Sequence, residues 1–246
     1  MTKTNLNHSV QSVTSELAQA TTHKKAPKIL FLYGSLRNPS YSLLLTKEAM
    51  KIAESFGAEV KIFHPHNLPL ADISLTQNPD QSLLPESVKE MRELMNWADA
   101  MVWTSPEVHG AMSSVFKNII DWMPLSLGAV RPTQGKLLAL MQVNGGSQSF
   151  NTLNQMRILG RWMRMITIPN QSSVPLAYTA FNEDGSMKES SNRDRVVDVM
   201  EELFKYCILF QGNGEFLHTR YSENKEIKAA PKAEKKVWKS AEDSLK

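Results

Sequence analysis

The sequence predicts an α/β protein built on a doubly wound parallel sheet, and three observations support this fold class. Short apolar segments that fit strands alternate with longer amphipathic segments that fit helices, the pattern of repeated strand–helix–strand units. The first of these strands contains an unbroken apolar run at residues 29–33, as expected for a strand buried on both faces. Loops rich in glycine, serine and proline follow three strands, at the edge where such sheets bind ligands.

Each secondary-structure element follows from its local pattern. Strands are predicted at residues 28–33, 59–63, 98–104, 136–143 and 165–168. Helices are predicted at residues 41–56, 86–97, 111–122, 148–163 and 191–210. Gly57 stops the first helix and Pro85 starts the second. Two long loops, residues 64–84 and 124–135, are unusual in a compact domain and indicate a functional or interface role.

Composition and charge indicate one globular domain between two polar arms. We expect a domain at residues 27–212, an N-terminal arm at 1–26 and a basic tail at 213–246. The net charge of +3 comes from the arms, since residues 27–219 carry 17 Lys and Arg against 19 Asp and Glu; this argues against a nucleic-acid surface.

Three features that the sequence lacks reduce the range of functions to consider. No apolar run reaches the ~20 residues of a membrane helix, so no membrane partner is expected. The polar N-terminus lacks the apolar core of a signal peptide, which makes a cytoplasmic location the default expectation. Cys207 is the single cysteine of the sequence, which excludes an internal disulfide, a CxxC redox motif and a thiolate metal site.

The first chemical motif is the loop between the first strand and the first helix, GSLRNPSYS, residues 34–42. Backbone N–H groups and the positive end of the helix point to one spot there, where hydroxyls donate and Arg37 supplies charge. These features predict a phosphate site. The candidate phosphate-binding residues are Ser35, Arg37, Ser40, Tyr41 and Ser42. The alternative is an ordinary strand-to-helix turn in which Ser40 is the helix N-cap.

The second and third motifs follow the third and fourth strands. The second consists of Pro106, Glu107, Val108, His109 and Gly110; Gly110 and the backbone before it allow close approach to a flat ring. His109 is either a weak candidate proton donor or a structural loop residue, and Glu107 either a general base or a charge at a helix start. The third motif gives backbone N–H groups room to face a ligand carbonyl, and the alternative is a tight strand-to-helix turn. Its residues are Asn144, Gly145, Gly146 and Ser147.

Five segments together resemble one family. The first loop resembles the phosphate loop of NADPH-dependent FMN reductases, which belong to the flavodoxin-like superfamily. With SPEVHGAM, DWMPLSLGAVRPTQGK, NGGSQSFN and LGRWMRMITIPNQSS, the chain resembles the ArsH family of arsenic-resistance flavoproteins over residues 28–209. Val108 is a departure from the flavodoxin-like reductases, in which an aromatic residue or arginine is frequent at the matching position.

The resemblance implies a fold, cofactors and partners. It implies a flavodoxin-like sheet of five parallel strands in the order 2-1-3-4-5 with helices on both faces. It implies FMN bound without covalent attachment, NADPH as hydride donor, and a homo-oligomer that is a dimer of dimers. The abundance of Trp and Met in the sequence also favours an interface. Arg131, Arg161 and Arg164 are candidates for contacting the 2′-phosphate of NADPH.

The function that the resemblance implies leaves alternatives open. Relatives of this family are associated with oxidising trivalent methylated arsenicals and with reducing quinones, azo dyes and metal ions. A flavodoxin-type electron carrier and a general quinone reductase without an arsenic role remain alternatives. Sequestration of arsenic is disfavoured, because trivalent arsenic prefers clustered thiolates and the chain has only Cys207. We expect the flavin to carry the chemistry without a catalytic side chain.

Overall fold

A computed structural model of the chain describes residues 25–78, 80–124, 131–211 and 221. Five parallel strands form the sheet in the order β2-β1-β3-β5-β6, and β4 pairs antiparallel with the end of β3. The strands are β1 (Lys28–Tyr33), β2 (Glu59–Phe63), β3 (Ala100–Val108), β4 (Ala111–Met112), β5 (Leu137–Val143) and β6 (Ile166–Val174). Counting only the parallel strands, this is the predicted order 2-1-3-4-5, which is therefore confirmed.

Helices cover both faces of the sheet, as predicted. They are α1 (Tyr41–Ser55), α2 (Ile73–Thr76), α3 (Glu86–Trp97), α4 (Ser114–Asp121), α5 (Asn151–Trp162) and α6 (Ser191–Phe210). One hydrophobic core lies between the sheet and α1 with α6, and a second lies between the sheet and α3, α4 and α5. Neighbouring residues of β1 alternate between the two cores, with Phe31 in the first and Leu32 in the second. None of the helices described is both long and apolar enough to cross a membrane.

The segment at residues 64–84, predicted as a loop, instead contains three short helical turns. These are Pro65–Asn67, α2 and Gln81–Leu83. Arg92 of α3 holds the segment, since its buried guanidinium donates to the backbone O of Thr76 at 3.1 Å and to Gln81 Oε1 at 2.5 Å. The Trp122 indole N–H adds a bond to Pro69 O at 2.8 Å. These long-range bonds order a segment whose local pattern indicates no regular structure.

Two strands are longer than predicted. β3 continues to Val108 because its last residues pair with β4, and the following helix therefore begins at Ser114 rather than at residue 111. β6 continues to Val174 because the register with β5 shifts between Leu138 and Leu140. This irregularity accommodates Pro169, which has no N–H to donate to a ladder.

The large side chains predicted to favour an interface lie mostly in the core. Trp103 and Trp122 are buried, as are Met91, Met95, Met123, Met163 and Met165. Trp162 is instead 59% exposed, and Trp97 is half-buried. Composition alone overstated the apolar surface available for association, because two cores on one sheet take up many large residues.

The predicted arms fall almost wholly outside the described residues. Residues 1–24, 212–220 and 222–246 are not described, nor are residues 125–130, which form half of the loop at 124–135. The boundaries proposed at 26 and 213 therefore stay predictions. Where the description starts, Lys25 O accepts a hydrogen bond from Gln211 Nε2 at 2.6 Å, which joins the two ends of the domain.

Candidate functional site

The register of the sheet brings the three motifs to one edge. Tyr33 pairs with Thr104, Pro106 with Val143, and Val143 with Val174. Each of the three loops leaves its strand just beyond these pairs, at the carboxyl end of the parallel sheet. Neighbouring strands lie about 4.8 Å apart, so loops that start on β1, β3 and β5 meet in one crevice.

Gly34 forms the tight turn out of β1. Its N–H donates to Thr104 O at 3.0 Å, and its carbonyl accepts from the Ser113 hydroxyl at 2.6 Å. A Cβ added to Gly34 would lie 2.5 Å from Phe116 Cβ and 2.6 Å from Ser113 Oγ. Only glycine allows the start of α4 to approach the first loop this closely. Ser113 also caps α4 by accepting from Phe116 N, so one serine joins the loop to the helix.

The first loop enters α1 through Ser40, which is the N-cap. Its hydroxyl accepts from Leu43 N at 3.2 Å and lies 2.9 Å from the hydroxyl of Ser42. The N–H groups of Tyr41 and Ser42 belong to the first helical turn, so they have no intrahelical acceptor. Arg37 is exposed, and its guanidinium makes no bond to any described residue. The N-cap alternative is thus correct for Ser40, while free donors and an available cation remain beside it.

The second motif is a hairpin rather than a loop. Glu107 pairs with Met112 and Val108 with Ala111 across a turn formed by His109 and Gly110. Both turn residues have positive φ, 52° for His109 and 72° for Gly110, as a two-residue hairpin turn with the right-handed twist of its strands requires. Val108 is 46% exposed. The turn gives His109 a conformational role that does not involve proton transfer.

Glu107 does not mark the start of a helix, so that interpretation is wrong. It lies in β3, and its Oε2 accepts from the Ser149 hydroxyl at 2.6 Å and from Gln142 Nε2 at 3.0 Å. Two neutral donors thus hold its carboxylate. The arrangement ties the hairpin to the loop after β5.

The third motif carries the clearest sign of a ligand-binding site. Asn144 is 9% exposed, and both its side-chain oxygen and nitrogen are buried without a hydrogen bond to any described residue. Such buried polar atoms are rare in folded proteins unless a ligand or water satisfies them. A Cβ added to Gly145 or Gly146 would meet no described atom within 4 Å. The glycines therefore face open space, and Ser147 beside them is exposed.

Several residues that organise this edge were missed in the sequence. Ser113 follows the hairpin, and Gln142 is fully buried inside an otherwise apolar strand. The buried Thr104 hydroxyl in the middle of β3 has no hydrogen bond within the described part of the chain. The single polar residue in the apolar run LLALMQV was a detectable signal for Gln142, since a buried amide needs partners.

The structure separates three predicted residues from this edge. Arg131 precedes β5, while Arg161 and Arg164 precede β6, so all three lie at the amino end of the sheet. Strands of this length span roughly 20 Å, which places these arginines beyond reach of a ligand at the carboxyl edge of the same chain. The Arg161 guanidinium instead lies 5.2 Å from the Trp162 ring centroid, and Arg164 donates to Gln134 Oε1 at 2.8 Å.

The residues present fit a phosphorylated planar ligand. Arg37 and the free helical N–H groups suit a phosphate, and the unpaired amide of Asn144 suits a ring that carries both donors and acceptors along one edge. The open space above Gly145 and Gly146 leaves room for such a ring. Fold and site together define a flavodoxin-like protein with a site for a flavin mononucleotide.

Comparisons with known proteins place the chain in a family. Residues 27–179 match the family of NADPH-dependent FMN reductases. The chain is 58% identical over 200 residues to the NADPH-dependent FMN reductase ArsH of Acidithiobacillus ferrooxidans, which covers 81% of each chain. It is 58% identical over 209 residues to the ArsH of Rhizobium meliloti, covering 85% of this chain and 83% of that one. The chain therefore belongs to the ArsH family of NADPH-dependent FMN reductases.

A solved structure agrees with the fold. The flavoenzyme NAD(P)H:(acceptor) oxidoreductase FerB of Paracoccus denitrificans superposes with a TM-score of 0.58 at 24% sequence identity. The superposition covers 74% of this chain and 97% of that chain. At this identity the likeness supports the flavodoxin-like architecture alone.

Proposed function

We propose that the protein oxidises NADPH through FMN held at the carboxyl edge of the sheet and reduces small electron acceptors there. The proposed acceptors are quinones, azo compounds, oxygen and metal ions. In the cell, the proposed role is arsenical resistance through the oxidation of trivalent organoarsenicals. Family membership supports FMN and NADPH as cofactors, and the single observation that carries the site is the unpaired amide of Asn144 beside open glycines.

The chain's own residues bind and orient the cofactor in this proposal. When bound, FMN accepts a hydride from NADPH and passes electrons to the acceptor. Arg37 and the first turn of α1 bind the phosphate, because charge and free N–H groups coincide there. The amide of Asn144 pairs with the polar edge of the ring. The proposed chemistry requires no pair of acid and base side chains.

The rim of the site favours planar, apolar acceptors. Exposed apolar side chains surround the three loops: Leu36 at 49%, Val108 at 46%, Phe150 at 44%, Leu176 at 43% and Tyr178 at 60%. Leu176 N donates to Gly146 O at 3.1 Å, so the segment after β6 lies against the third loop. Apolar contacts discriminate weakly between acceptors of similar size, which supports a broad acceptor range.

The proposed arsenic chemistry needs oxygen as well as NADPH. Two electrons and two protons, supplied by NADPH and solvent, convert oxygen to hydrogen peroxide. Peroxide then accepts two electrons from a trivalent methylarsenical, giving the pentavalent acid and water. Capture by a thiol is disfavoured, because Cys207 is buried and burial, with a smaller contribution from Asp99, raises the pKa of its thiol.

Steady-state turnover tests the general proposal. The purified protein, loaded with FMN, is assayed for NADPH oxidation with a naphthoquinone, an azo dye, ferric citrate and oxygen alone. We expect turnover with each acceptor. Failure to oxidise NADPH with any acceptor, despite bound FMN, would favour the alternative function of a flavodoxin-type electron carrier.

A separate assay tests the arsenic role. Trivalent methylarsenical is incubated with enzyme, NADPH and oxygen, and the pentavalent product is measured for the parent, Cys207→Ser and Cys207→Ala. We expect product in all three and none without oxygen. Loss of arsenical oxidation in both variants, with quinone reduction intact, would show that the thiol captures arsenic. Absence of product in the parent would leave a general quinone reductase.

A further inference from the structure

Gln142 is the most connected side chain at the carboxyl edge. It lies at the end of β5 and is fully buried. Its Nε2 donates to Glu107 Oε2 at 3.0 Å and to Ser149 O at 2.8 Å, and its Oε1 accepts from Leu153 N at 2.9 Å. One amide thereby joins the hairpin, the third loop and the first turn of α5. Both N–H groups of the amide donate and its oxygen accepts one bond, so each polar atom of this buried side chain has a partner.

Ser149 completes this connection from the loop side. Its hydroxyl donates to Glu107 Oε2 at 2.6 Å, so one carboxylate oxygen accepts from both β5 and the loop. Its carbonyl accepts a second bond, from the Ser173 hydroxyl of β6, at 2.6 Å. The loop after β5 is therefore fastened to β3, β5 and β6 at its far end, while Gly145 and Gly146 at its near end face open space.

Gln155 of α5 holds the hairpin at a second point. Its Oε1 accepts from Met112 N at 3.2 Å, and its Nε2 donates to Gly110 O at 3.1 Å. The two bonds engage the backbone of β4 and of the turn, where the hairpin ladder itself ends. Together with Glu107, they fix both strands of the hairpin to the third loop and α5.

We propose that Gln142, Ser149 and Gln155 are positioning residues for the flavin. They fasten the hairpin, through Glu107 and Gly110, to the loop that carries Asn144, so that the two walls of the site form one preorganised unit. This inference rests on the proposed function, since it assumes that the flavin lies between these loops. Preorganisation lowers the ordering cost of binding and holds the reacting centres in alignment.

The role of Glu107 depends on the position of its acceptor oxygen more than on its charge. Both donors to it, a hydroxyl and an amide, are neutral and bond an amide oxygen equally well in geometry. Glu107→Ala removes the acceptor, whereas Glu107→Gln keeps an oxygen in its place. The conservative variant should therefore recover most of the loss that the truncation causes.

The test compares the FMN dissociation constant and the kcat and KM for NADPH across matched variants. We expect Glu107→Ala and Gln155→Leu to weaken FMN binding about tenfold. Both should affect kcat more strongly than KM, because the reacting centres lose their alignment. Glu107→Gln should recover to within about threefold of the parent, less than the effect of one hydrogen bond. If Glu107→Ala does not fold, Ser149→Ala, which removes one donor only, should give a smaller loss in the same direction.

Glu48→Ala is the stability control. Glu48 accepts from Arg193 Nε at 2.8 Å in a buried ion pair between α1 and α6, outside the hairpin and the third loop. Loss of this ion pair should lower the urea midpoint of unfolding. The kcat of the FMN-saturated variant should equal that of the parent. Parent-like FMN binding in both Glu107→Ala and Gln155→Leu, or a Glu107→Gln variant as impaired as Glu107→Ala, would overturn the positioning role. A parent protein that binds no FMN would instead overturn the proposed function.

Discussion

Arg37 is the exposed cation beside the first turn of α1, and its guanidinium makes no bond within the described chain. We expect Arg37→Ala to raise the FMN dissociation constant about ten- to a hundredfold, because one charge-assisted bond to phosphate contributes roughly 1.5–3 kcal/mol. Fluorescence titration of the apoprotein with FMN measures this. Arg161→Ala, at the opposite edge of the sheet, is the matched control and should bind like the parent. Unchanged affinity in Arg37→Ala would remove the phosphate assignment.

His109 occupies the left-handed region of the hairpin turn, with φ of 52°. Asn tolerates this conformation and Val does not, since a left-handed backbone costs a β-branched residue about 1–2 kcal/mol. We expect His109→Val to lower the free energy of unfolding by that amount, and His109→Asn to leave it nearly unchanged, as measured in urea. His109→Asn should also oxidise NADPH within a few-fold of the parent. A collapse of turnover in this stably folded variant would assign proton transfer to the imidazole.

Among the secondary-structure elements, the contact between β1 and α4 depends on Gly34. A glycine of the third loop, Gly145, provides the comparison. Gly34→Ala places a methyl group 2.5 Å from Phe116 Cβ, whereas Gly145→Ala meets no described atom within 4 Å. We expect Gly34→Ala to destabilise the apoprotein by roughly 1–3 kcal/mol through overpacking. Gly145→Ala should leave apoprotein stability nearly unchanged but weaken FMN binding. Urea unfolding with FMN titration checks both, and equal FMN affinity in Gly145→Ala would place the ring elsewhere.

At the scale of the whole molecule, the segment at residues 64–84 exposes three large apolar side chains. Leu70 is 86% exposed, Ile73 69% and Leu83 56%. We predict a dimer or larger assembly that covers this surface, because exposed apolar patches mark association sites. Light scattering should show the assembly in the parent and weaker association in Ile73→Glu. Leu209→Glu, which changes a 61% exposed residue on α6, is the control. A fully active monomer at micromolar concentration would contradict this prediction.

The sequence by itself determined the fold class and indicated where the candidate site lies along the chain. Alternating periodicity predicted the parallel sheet, and the uninterrupted run at Ile29–Tyr33 predicted a strand buried on both faces, because such local patterns reflect which faces meet a core. The order of the parallel strands came from the family resemblance. Gly34, Ser40 and Asn144 were recognisable because turns, caps and strand ends have local chemical signatures.

Only the tertiary structure decided how these residues are used. The hairpin depends on pairing Glu107 with Met112, and the arginines before β6 are excluded from the site by the direction of the strands. The partners of Gln142 lie up to 35 residues away, and the register of β3 with β5 brings them together. Hydrogen bonds between distant segments leave no periodic pattern in either segment. They form only after the hydrophobic cores have fixed the sheet, so sequence patterns predict the elements better than the contacts between their ends.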